Sequence, residues 1–168
     1  KKTLVFFESC FIAQLIISYL MLISFAIQGY GTFSILFSTL SIINFITFSV
    51  IWKFNLYRFK HLEHIKWITI GIVFHLISYI GTGYLGYMSI THHFNQKLYL
   101  GSVYWFLHFQ YNGWFLFSLI GLFINYIRFH LSIDFNFNNL FYFLSISCIP
   151  TFGLSILWLK LTTPLYLI

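Results

Sequence analysis

Near the middle of a long apolar run lies the segment Leu107-His108-Phe109-Gln110-Tyr111-Asn112-Gly113-Trp114. An imidazole, two amides and a phenol fall within five residues, where the surroundings are lipid or packed protein. Polar and ionisable groups at such depth are costly, so they are retained for a reason and mark a candidate site. Neutral imidazole is a frequent ligand of metals and haem iron. His108 is therefore the candidate cofactor and metal ligand, and Tyr104, Gln110 and Asn112 are candidates to line its site.

Six further histidines are less pointed. His61 and His64 flank Glu63 in a basic loop, an i, i+3 pair that reads as headgroup-facing. His130 follows Arg128 at the end of a run and reads as interfacial. His92-His93 is a loop pair that would bind metals only adventitiously. His75 is different, because it lies about eight residues into its own apolar run, or ~12 Å deep at ~1.5 Å per residue. His108 is ~15 Å from the edge of a ~30 Å hydrocarbon core. If the two runs are antiparallel neighbours, both imidazoles reach similar depth, which makes His75 the second cofactor-binding candidate. The residues leave three roles open for this pair: cofactor ligation, a proton or substrate pathway, or internal hydrogen bonding.

The elements that must position these residues are helices in a membrane. The chain has 168 residues, is 60% hydrophobic and only 7% charged, and has a mean hydropathy of +0.85. A soluble domain carries about 25% charged residues, so this composition cannot cover a solvated surface. The fold expected is all-α, a polytopic transmembrane helix bundle of about five spans. These are placed at 4–27, 32–52, 67–90, 98–127 and 140–159 by the ~20 apolar residues a crossing needs. They form a single integral membrane domain. The start at Lys1 without methionine and the apolar finish after Pro164 suggest a piece of a longer polytopic protein, or else a short interfacial tail.

The net charge of +6 does not point to nucleic acid, because the basic residues punctuate the gaps between apolar runs. Lys1, Lys2, Lys53, Arg58, Lys60, Lys66 and Arg128 fall on one side, and Lys97 and Lys160 on the other. The positive-inside rule then puts the N-terminus in the cytoplasm. The localisation expected is a bacterial inner membrane or its equivalent. Trp52, Trp67 and Trp158 fall at run ends, where interfacial aromatic anchors belong. Cys10 and Cys148 both lie within spans, without a CxxC motif, and are expected to be buried and inert.

At 100° per residue the polar and small side chains sort onto faces. The first run aligns Cys10, Gln14, Ser18 and Met21, and the second aligns Ser34, Ser38, Ser41 and Ser49. In the third, Gly71, His75, Ser78, Thr82, Gly86 and Ser89 make a seam of the small-xxx-small kind that lets helices approach closely. The fourth run carries Gly101, Tyr104, His108 and Asn112 on one face and Gln110, Gly113 and Gly121 nearly opposite, which suggests a helix surrounded by other helices. Pro150 within Ser147-Cys148-Ile149-Pro150-Thr151 should kink the fifth.

The stretch Val103 to Tyr111 resembles the tenth helix of subunit I in the haem–copper oxidase superfamily. That helix carries a His-Phe-His-Tyr motif. His108, Phe109 and Tyr111 match it, and Gln110 stands where the second histidine ligand is found. A second alignment is to the His-x-Asn helix of nitric oxide reductases and cbb-type oxidases, with His108, Gln110, Gly121 and Tyr126 in similar order. The resemblance covers roughly 20 of the 168 residues. It implies a haem-binding membrane subunit with an electron-transport role and His108 as ligand. The family's copper-site helices find no counterpart in this sequence, so copper is not expected. The alternative is a non-enzymatic accessory subunit or transporter fragment without cofactor. Whether the chain is an enzyme stays open. Partners expected are the lipid bilayer and other membrane subunits or the remainder of a longer chain.

Overall fold

The computed structural model describes residues 2–56, 62–131 and 136–158. Arg58, Lys60, His61, Asp134, Lys160 and the tail from Pro164 to Ile168 lie outside these. Among the described residues every regular element is helical. They are α1 (Lys2–Gln28), α2 (Thr32–Leu56), α3 (Glu63–Thr91), α4 (Gln96–His108), a π-helical segment (Phe109–Phe115), α5 (Leu116–Leu131), α6 (Asn138–Ser147) and α7 (Phe152–Ser155). An apolar chain in lipid satisfies its backbone within each segment, and a helix does so without a partner. The protein is an all-α integral membrane protein. Four continuous rods are long and apolar enough to cross a bilayer: Thr3–Gln28, Thr32–Asn55, Glu63–Thr91 and Gln96–Leu131.

The fifth expected span is divided. Where one helix over 140–159 was expected, α6 has 10 residues and α7 has four, with turns between Cys148 and Thr151. Pro150 lacks the N–H that would continue the ladder. The break is therefore sharper than a kink.

The chain forms two compact units, residues 1–58 and 59–168. The first is the α1–α2 hairpin. It turns at Gly29, whose φ of 60° favours glycine. Its seam is polar: Gln14 Nε2 donates to Ser41 Oγ at 2.7 Å, and Asn44 Nδ2 donates to Gln14 Oε1 at 2.9 Å and to the Cys10 carbonyl at 3.0 Å. Ser38 Oγ lies 3.5 Å from Met21 Sδ. The faces read from Cys10, Gln14 and Met21 and from Ser38 and Ser41 do meet. Ser18, placed with them by periodicity, is exposed.

In the second unit α3 runs against α4, the π segment and α5 along its whole length. Glycines set the closest approaches. A Cβ on Gly81 would lie 2.5 Å from the Ser102 carbonyl oxygen, one on Gly113 would lie 2.5 Å from Phe74 Cβ, and one on Gly121 would lie 2.9 Å from Ile68 Cγ1. Gly71 opposes Ser118 in the same way, at 3.1 Å. Gly86, expected in this seam, has nothing within 4 Å, and Gly81 is the contact instead. Trp67 is fully buried among Phe117, Phe141 and their neighbours. It is a core residue and not the interfacial anchor expected from its place at a run end. α3 starts four residues before that expected end.

Candidate functional site

His75 and His108 are both buried, at 8% and 5% exposure, and each belongs to a separate cluster. The segment that separates them is the π-helical turn of α4–α5. A π turn closes i→i+5 bonds and occurs most often as a short insertion at functional sites. Here Leu116 N–H donates to Tyr111 O as well as to Gly113 O.

Gln110 turns toward α3. His75 Nδ1 lies 2.5 Å from Gln110 Oε1, and its Nε2 lies 2.9 Å from the Tyr79 hydroxyl. A carbonyl oxygen only accepts, so Nδ1 carries the proton and donates, and Nε2 accepts from the Tyr79 O–H. Ser78 Oγ donates to the His75 carbonyl at 2.6 Å and lies 3.4 Å from Gln110 Oε1. The Trp114 ring packs 5.3 Å from the imidazole.

His108 turns the other way, toward the α6–α7 break. Its Nε2 lies 2.8 Å from the carbonyl oxygen of Cys148 and therefore donates. Its Nδ1 accepts from Asn112 Nδ2 at 3.1 Å, with Ser155 Oγ at 3.4 Å. The two histidines thus hold opposite tautomers, each set by its partners. In a continuous helix the Cys148 carbonyl would accept from residue 152. At the break, Phe152 N donates to Ile149 O instead. The released carbonyl receives His108 and, at 3.1 Å, Thr151 Oγ1. A buried carbonyl without partners is costly in lipid, so His108 and Thr151 satisfy the backbone at the α6–α7 break.

Phe109, 2% exposed, fills the space between the clusters, stacked on Phe74 of α3 and Phe152 of α7. Of the candidate residues, the structure joins Asn112 to His108 and Gln110 to His75. It does not join His75 to His108. Tyr104 packs its ring 5.8 Å from Trp158, and both Tyr104 and Asn112 are exposed. That rim of α4 faces outward, and the expectation of a helix enclosed on both polar faces fails there.

The fit to haem can be judged from these partners. Iron needs an imidazole lone pair. The lone pair of His108 Nδ1 receives Asn112, and that of His75 Nε2 receives Tyr79. Ligation at either would break an existing hydrogen bond. Among the described residues no three His, Cys, Asp or Glu side chains converge on one point. His92, with a left-handed φ of 55°, ends α3, and both His92 and His93 are exposed.

Sequence reasoning passed over Glu63. Its carboxylate accepts from Arg128 Nη2 at 2.5 Å and from Phe137 N–H at 2.9 Å, with Lys66 Nζ at 3.4 Å. Lys66 also donates to Asn138 Oδ1. The starts of α3 and α6 and the end of α5 are tied at one acid. The signal available was scarcity, since Glu63 is one of three acidic residues in the chain.

Comparison of the chain with models of protein families, with curated proteins and with solved structures finds no match.

Proposed function

We propose that the chain is a non-enzymatic integral-membrane module whose two buried histidines are helix connectors, working beside other membrane segments. One observation carries this reading. Both nitrogens of both imidazoles are used by neighbouring groups: an amide and a phenol at His75, a backbone carbonyl and an amide at His108. A haem ligand needs a free lone pair. The Lys/Arg distribution supports an N-terminus on the cytoplasmic side, in a bacterial inner membrane or its equivalent.

The rival reading is electron transfer through a haem on His108. An absorption spectrum of protein extracted from the membranes of its host separates the two. The connector reading expects no Soret band, together with loss of stability in His108→Leu. A Soret band that disappears in His108→Ala would overturn it.

A further inference from the structure

On the far side of Phe152, whose ring packs 5.7 Å from His108, a groove of about 360 Å³ opens between α3, α4 and α7. Gly81 and Gly101 line it, Trp105, Phe152 and Ile156 form its apolar walls, and Lys97 stands at its α4 end. Two features give it shape. A Cβ on Gly101 would meet nothing within 4 Å, so glycine leaves that stretch of α4 open. Trp105 is held by its Nε1–H, which donates to the Ile77 carbonyl at 2.9 Å, so the indole is a fixed wall.

We propose that this groove binds one acyl chain of an anionic phospholipid, with its net-negative headgroup held at Lys97. The length fits. Lys97 to Trp105 is eight residues of helix, or ~12 Å at ~1.5 Å per residue, which is most of one leaflet of a ~30 Å core. The lining is almost wholly apolar, as an acyl chain requires. The charge fits as well. Lys97 is exposed at the start of α4, where the helix end is itself positive. Glu63, the one acidic residue among the described residues of this unit, lies at the opposite end of α3 and is occupied by Arg128 and Lys66. The lysine can therefore reach the headgroup level and meet a net-negative headgroup there.

The test uses the full chain in nanodiscs of phosphatidylcholine. Trace phospholipid with a diazirine on its acyl chain is added, bearing either a glycerol (anionic) or a choline (zwitterionic) headgroup. Photolabelled residues are mapped by mass spectrometry. One lysine near a membrane surface favours an anionic lipid by about fivefold, so labelling of the 98–105 and 152–156 stretches should be about fivefold stronger with the anionic probe. Lys97→Gln should equalise the probes. Gly101→Leu, at a position with room for a side chain, should abolish labelling of both stretches. Equal labelling by the two probes in the native protein, or labelling unchanged by Gly101→Leu, would overturn the proposal.

Discussion

His108 donates from Nε2 to the carbonyl of Cys148, 2.8 Å away and 40 residues along the chain. The bond joins the last residue of α4, just before the π segment, to the α6–α7 break in the same unit. The tightened turn after Pro150, in which Phe152 N–H bonds the Ile149 carbonyl, leaves the Cys148 carbonyl without a helical donor. His108, supported by Asn112 of the π segment, reaches that carbonyl.

Removing the imidazole should therefore destabilise the break and leave the rods intact. His108→Leu leaves the Cys148 carbonyl with Thr151 alone, at a cost of about 1–3 kcal/mol. Thermal unfolding in detergent measures it. Stability equal to that of the native protein would remove His108 from this role.

His75 and Gln110 should be coupled energetically. Interhelical hydrogen bonds in membrane proteins average about 0.6 kcal/mol in double-mutant cycles, with a maximum near ~1.7. The cycle of His75→Leu and Gln110→Leu should fall in that range. The cycle of His75→Leu with Asn112→Leu should give zero, because Asn112 belongs to the other histidine.

Close backbone approach should make Gly113 intolerant of a methyl group. Gly113→Ala drives a Cβ against Phe74 Cβ and should cost about 1–3 kcal/mol through overpacking. Gly83→Ala, with nothing within 4 Å, should be neutral or slightly stabilising. Equal effects at the two positions would contradict the packing of α3 on the π segment.

Glu63 should matter more than its single charge suggests. Glu63→Leu leaves Arg128 without its carboxylate and the Phe137 N–H without its acceptor. Breaking a buried pair on one side costs about 3–5 kcal/mol, and the partial exposure of Arg128 places this case toward or below the lower end. Limited proteolysis between α5 and α6 should rise in the variant. An unchanged cleavage pattern would count against the tie.

For the orientation proposed, a cysteine introduced at Lys97 should react with an impermeant maleimide added from the side opposite the cytoplasm. The native Cys10 and Cys148 are buried and give a low background. Labelling from the cytoplasmic side alone would invert the topology.

Composition and periodicity by themselves determined that this is a helical membrane protein, because a chain with 7% charge has no soluble alternative. They also determined the two faces of the α1–α2 hairpin and singled out both deep histidines, since polar side chains are rare enough in apolar runs to be read one by one. Tertiary structure decided the rest. A 100° rotation set Gln110 opposite His108, but only the packing of α3 brings it to His75, and Tyr104, one turn before His108, packs outward on Trp158. Proline signals a break but not that the turn after it leaves the Cys148 carbonyl for His108. The helical wheel placed Gly86 in the seam and Gly81 outside it, and only the path of α4 makes Gly81 the contact and leaves Gly86 open. Glu63 gained its three partners because the ends of three helices converge, and that convergence is a property of packing that no local pattern carries.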